Sequence, residues 1–151
     1  FKAGNNARVI TDCLWSGDAC YAKATCSEFA VHAETLVVNP WNLEHSVGTS
    51  SSGSAVSVLV DDIDYSLATQ TAGSIGRPAS FTGVMGMKPT YGLVPRTGVL
   101  KTCDPFDTVG CFIKDERNLS EIMRPLFKVG PDHPTSVLEM RQVAKIIPAL
   151  Q

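Results

Sequence analysis

Residues 65 to 80 read YSLATQTAGSIGRPAS, and this one string restricts the fold more than any other part of the chain. YSLATQ reads as a buried strand, TAGS as a turn of small residues, and the stretch beyond it as a helix. A second string, Val47 to Ser54 (VGTSSSGS), follows a polar loop containing Asn39, Pro40 and Asn42. It runs into the apolar stretch AVSVLV, so small polar residues again lead into a helix.

The rest of the chain fits the same layered pattern. From Ala7 to Ala24 the apolar positions Val9, Ile10, Cys13, Leu14, Ala19 and Cys20 recur at roughly helical spacing, with Gly17 as terminator. This predicts a helix and then a short strand around Cys20 to Lys23. A strand near Val84 to Lys88 is expected next, then a Pro/Gly-rich loop from Pro89 to Gly98. A helix from about Arg117 to Lys128 and a strand in the final run AKIIPAL complete the reading. Strands alternating with helices predict an α/β sandwich, a mixed sheet flanked by helices with at least some parallel pairing.

Composition narrows the function classes. With 44% hydrophobic and 19% charged residues in 151, the chain can bury one core and does not read as disordered. The net charge is −2 and the basic residues are scattered, so no basic stripe invites nucleic acid or an anionic membrane. No apolar stretch approaches the ~20 residues of a membrane helix. Five cysteines, Cys13, Cys20, Cys26, Cys103 and Cys111, show no C-x-x-C spacing. They fit free thiols in a reducing compartment, which makes the cytoplasm the expected location. The opening FKAGNN carries no secretory signal and is expected to be a truncation point.

Chemistry concentrates in the two serine-bearing loops, Gly48 to Ser54 and Thr69 to Ile75. Small residues let backbone N–H groups approach a substrate oxygen closely, as oxyanion stabilisation requires. Taken alone, each loop also fits a flexible connector or an ordinary turn. The wider strings decide between these readings. ATQTAGSIGRPASFTGVMGMKPTYGLVPRTGV and EFAVHAETLVVNPWNLEHSVGTSSSGSAVSV together resemble the amidase signature family. AKATCSEFA is similar to its GKTN-x-x-EFA stretch, and DPFDTVG at Asp104 to Gly110 to its S-L-D-x-x-G element, so the likeness covers about residues 7 to 130.

The resemblance implies a serine-serine-lysine triad, with Ser74 as nucleophile and Ser50 as relay, 24 residues apart as in the family. The backbone N–H groups of Thr71, Ala72, Gly73 and Ser74 would form the oxyanion hole. The implied reaction hydrolyses a carboxamide C–N bond of a small amide through an acyl-enzyme, without metal or organic cofactor. The family holds the relay serine behind a cis peptide bond, and here Thr49 precedes it in place of the usual glycine. Ala72 and Gly76 are further departures.

The relay serine needs a neutral lysine to receive its proton. In the family that lysine lies in a V-K-D-like segment upstream of the helix matched by Ala7 to Gly17. Lys2, in FKAGNN, is similar to the loop beyond it, Lys23 matches the GKTN lysine, and Lys88 reads as structural. A partial domain is therefore expected over 1–151, lacking the lysine segment and the C-terminal part. The alternative reading is a non-catalytic, truncated amidase-fold binding module or an inactive fragment. No G-x-S-x-G elbow supports a Ser/His/Asp hydrolase, and His32, His45 and His133 read as surface or hydrogen-bonded residues. Neither metal-ligand spacing nor GxxxxGK[ST] is present. Arg77 and Asp107 are expected to be structural, with Arg77 bridging the nucleophile turn to a carboxylate.

Overall fold

The computed structural model describes residues 4–128. Helix α1 spans Arg8–Trp15, α2 Ser52–Ser57, α3 Gly76–Thr82 and α4 Leu119–Met123; the strands are β1 (Tyr65–Gln70), β2 (Met85–Met87) and β3 (Thr108–Ile113). Strand β3 lies between the other two, in the order β1-β3-β2. Both pairings are antiparallel, Ala68 opposing Gly110 and Met87 opposing Cys111. The parallel pairing expected from strand-helix alternation is thus not found among the described residues.

Strand β3 explains how the layers assemble. All six of its residues are buried, and side chains alternate between faces along a strand. Val109, Cys111 and Ile113 pack with Val9 and Cys13 of α1 and with Met123 and Leu126 beyond it. Phe112 points the other way and packs with Ala55 and Val58 of the α2 region, Ala68 of β1 and Ile75. Helices therefore cover both faces of the sheet, giving the α/β architecture. Burial pushes the Cys111 thiol up to about 12 and also raises Cys13, so these two thiols act as apolar core groups. All five cysteines are free.

Two local expectations are revised. Residues 20–23 form no strand and are exposed; a cavity of about 680 Å³, lined by Tyr21, Lys23, Val56, Tyr65 and Leu67 among others, lies between them and β1. Without a ladder partner an isolated strand has nothing to hold it. The helix expected from Arg117 to Lys128 is instead a 3-10 turn at Glu116–Asn118, then α4, then a second 3-10 turn at Arg124–Leu126. Pro125 in that last turn cannot donate to an α-helical ladder. Strand β3 itself was not foreseen. The expected terminal strand in AKIIPAL, and Lys2, lie outside the described residues. No helix among the described residues is long and apolar enough to cross a membrane.

Candidate active site

The site is built where β1 gives way to α3. Gln70 ends the strand opposite Thr108, so continuation of the antiparallel register sets Thr71 opposite Asp107. There the Thr71 hydroxyl donates to Asp107 Oδ1 at 2.5 Å. The other carboxylate oxygen accepts from the Thr102 and Cys103 N–H groups at 2.7 and 2.9 Å. Asp107, only 8% exposed, thus anchors the first residue of the turn to the loop before β3.

The side chain of Gln70 organises the rest of the turn. Gln70 Oε1 accepts from the N–H groups of Ile75 and Gly76, at 2.7 and 2.9 Å. It thereby caps the start of α3 from inside the loop, in the manner of side-chain helix capping. Ahead of these two, the N–H groups of Thr71, Ala72, Gly73 and Ser74 enter no hydrogen bond among the described residues. Ser74 is 8% exposed.

The serine tract lies alongside. Ser54 and Ser51 donate to the carbonyls of Leu67 and Thr69, at 2.9 and 3.2 Å. These carbonyls are two residues apart, hence on the same edge of β1. Ser52 donates to Thr35 Oγ1 at 3.2 Å. The hydroxyl of Ser50, 1% exposed, has no such bond among the described residues, although its carbonyl accepts from the Ser27 N–H at 3.2 Å. The Thr49–Ser50 peptide is cis, as the resemblance implies.

Two glycine contacts fix the loop in place. Gly48 has φ of +74°, and a Cβ there would meet the Pro78 backbone nitrogen at 2.9 Å. Only glycine accommodates both that dihedral and that approach. A Cβ at Gly53 would lie 2.4 Å from the Thr25 carbonyl oxygen, to which its own N–H donates. The structure therefore brings the Gly48 to Ser54 loop against both the end of β1 and the start of α3, and places residues 25–27 behind it.

Arg77 does not bridge to a carboxylate. Its guanidinium contacts His32, through Nη1 to Nδ1 at 3.3 Å and through Nη2 to Nε2. Lys23 is exposed, and Lys88 donates to the Pro89 carbonyl at 3.0 Å. Neither Ser50 nor Ser74 lines the 680 Å³ cavity, so that cavity lies apart from both serines. The structural roles of Gln70, Ser51, Ser52 and Ser54 are not legible from sequence, because they depend on which groups the tertiary fold presents to them; His32 is hydrogen-bonded, as expected, and its partner is Arg77.

Removing the Asp107 carboxylate strands three donors. We expect Asp107→Ala to cost about 1 to 2 kcal/mol, since the three donors belong to half-buried or exposed residues that water reaches in part. Asp107→Asn should cost less, because its amide can turn the oxygen to the two N–H groups and donate to Thr71. Urea midpoints of the two variants check the order.

Comparisons with known proteins agree with this architecture. The family model described as Amidase matches residues 1–148. A glutamyl-tRNA(Gln) amidotransferase subunit from Thermoanaerobacter pseudethanolicus is 36% identical over 138 residues, covering 87% of this chain and 28% of that protein. The chain thus spans little more than a quarter of the length of such relatives. Among solved structures, the corresponding glutamyl-tRNA(Gln) amidotransferase subunit of Thermotoga maritima superposes with a TM-score of 0.81 at 33% identity, covering 89% of this chain and 31% of that one. The peptide amidase of Stenotrophomonas maltophilia does so with 0.77 at 28% identity, covering 86% and 29%. Strand-turn-helix, serine tract and family match coincide over the same residues, and the chain belongs to the amidase family, whose members act on carbon–nitrogen bonds of amides.

Proposed function

We propose that this chain carries the serine part of an amide-hydrolysing site in which Ser74 is the nucleophile and Ser50 the proton relay. The observation that carries the reading is the pattern of engagement around the turn. The N–H groups of Thr71, Ala72, Gly73 and Ser74 are left over once Gln70 has taken those of Ile75 and Gly76. Donors preorganised in this way suit the oxyanion of a tetrahedral intermediate. In the serine tract, Ser50 keeps its hydroxyl out of structural bonds while Ser51, Ser52 and Ser54 do not.

In the proposed sequence Ser74 Oγ attacks the carboxamide carbon, and its proton passes through Ser50 to the departing nitrogen. The C–N bond breaks, the amine leaves, and an ester to Ser74 remains. Water then attacks that ester, releases a carboxylic acid and returns the proton to Ser74. A serine relay acts as base only if its own proton has an acceptor, which on this reading is a neutral lysine supplied by a longer protein. Small linear amides are the substrate class, and neither a metal nor an organic cofactor enters the steps.

Reaction of the full-length protein with a fluorophosphonate, read by intact mass, tests the assignment. One adduct is expected, mapping to Ser74 and absent from Ser74→Ala. An adduct retained at the same mass in Ser74→Ala would sink the assignment.

A further inference from the structure

We infer that Gln70 is a positioning residue for amide cleavage: by occupying the N–H groups of Ile75 and Gly76, it confines the substrate carbonyl oxygen to the donors on the Ser74 side of the turn. The inference rests on the Ser74 reading and adds a residue to it.

Six consecutive backbone donors, from Thr71 to Gly76, meet no backbone acceptor among the described residues. The ladder of α3 begins only at Arg77, whose N–H donates to the Gly73 carbonyl at 2.9 Å, so the donors before it have no acceptor within the helix. Left alone, they would offer a substrate oxygen several overlapping seats. Only those nearest Ser74 set the carbonyl carbon before its hydroxyl. Attack geometry tolerates little displacement, since a misplacement of about 1 Å can cost on the order of 100-fold in rate.

Gln70 closes the distant seats. Its Oε1 accepts from Ile75 and Gly76 at 2.7 and 2.9 Å, which fills both lone pairs of an amide oxygen. The bonds end where the chain is already fixed, because the Ile75 side chain, 1% exposed, packs with Ala55, Val58, Ala68 and Phe112. With Ile75 buried, water is a poor substitute for this acceptor. At the other end of the turn Asp107 holds the Thr71 hydroxyl. The stretch from Thr71 to Ser74 thus runs between two anchored ends, and the donors that remain are its own. Gln70 is the last residue of β1, so the strand itself carries the side chain that sorts them. A cap that only stabilised α3 would leave the rate unchanged once the protein had folded; a sorting role lowers the rate at constant substrate affinity.

Amide hydrogen exchange on the full-length protein reads the sorting directly. Ile75 and Gly76 should exchange slowly and Thr71 to Ser74 fast, and propylboronic acid should slow only the latter group. In that adduct Ser74 Oγ bonds to boron, the serine proton leaves through Ser50 to solvent, and boron becomes a tetrahedral anion with no other bond broken. Gln70→Met, close in size and without an acceptor at that reach, should lower kcat for butanamide about 100-fold and weaken the boronate by a similar factor, with KM held within about threefold. Gln70→Glu keeps the acceptor and should recover part of the loss. Fast exchange at Ile75 and Gly76 in the parent, or a folded Gln70→Met with kcat within about threefold of the parent, would overturn the inference. If Gln70→Met does not fold, the exchange pattern of the parent decides. Absence of any boronate adduct at Ser74 would remove the nucleophile assignment, and this inference with it. Exchange at Ile75 and Gly76 is read without an adduct, so the two failures are distinct.

Discussion

Replacement of Ser74 by alanine in the full-length protein is expected to lower amide turnover by about 10⁴-fold or more, with no matching loss of stability. The two halves of this expectation have separate grounds. Ser74 Oγ makes no hydrogen bond among the described residues, and the turn around it is held by Gln70 and Asp107. Truncation to alanine therefore removes the proposed nucleophilic oxygen without releasing a structural contact. Ser50→Ala should cost about 10² to 10⁴, the range of a lost acid-base group, since the proposed nucleophile and oxyanion donors remain. Ser51→Ala supplies the contrast. It removes the bond to the Thr69 carbonyl, so it should lower stability by ~1 kcal/mol while retaining the chemistry. Ammonia release and urea unfolding on the three variants, side by side, check the pattern, and turnover by Ser74→Ala near the parent level would exclude the proposed nucleophile.

Gly110→Ala should produce the largest structural effect of any single methyl addition considered. Gly110 sits mid-strand in β3, where a Cβ would lie 2.0 Å from the Met87 carbonyl oxygen and 2.9 Å from Ile75 Cδ1. The first of these is backbone, and β2 is held by its pairing of Met87 with Cys111, so it cannot swing aside as a side chain would. Overpacking of this severity should cost about 3 kcal/mol or more, a large share of a typical domain's stability. Gly76→Ala is the control: nothing lies within 3.8 Å of its added Cβ, and alanine is the better helix residue at the start of α3. Urea midpoints should fall sharply for the first variant and hold or rise for the second.

What the sequence disclosed, and what it withheld, follows from which interactions are local. Helix α1 and its end near Gly17 were legible because spacing and terminator lie within one short stretch. The β1-turn-α3 unit was legible because a strand, small residues and a helix follow one another directly. Strand β3 was missed: TVGCFI is buried on both faces, so it lacks the alternation that marks a half-buried strand. Pairing direction was misjudged because it depends on how distant segments meet, and the residues 20–23 that would have lengthened the sheet have no ladder partner. At the site, Ser50 and Ser74 came from family likeness rather than from physical pattern. The link from Asp107 to Thr71 follows from a register that only the assembled sheet reveals, and the pairing of Arg77 with His32 spans 45 positions.

The serine tract shows why repetition of one residue type need not mean redundancy. Ser50, Ser51, Ser52 and Ser54 are chemically identical, yet each hydroxyl meets a different neighbour: Thr69 for Ser51, Thr35 for Ser52, Leu67 for Ser54, and for Ser50 no structural partner among the described residues. The tract resembles a flexible spacer by composition and behaves as a keyed part by position. Insertion or deletion of a single serine would preserve its composition almost unchanged while handing every hydroxyl its neighbour's task. Length, more than identity, is therefore the property of this segment that variation can least disturb.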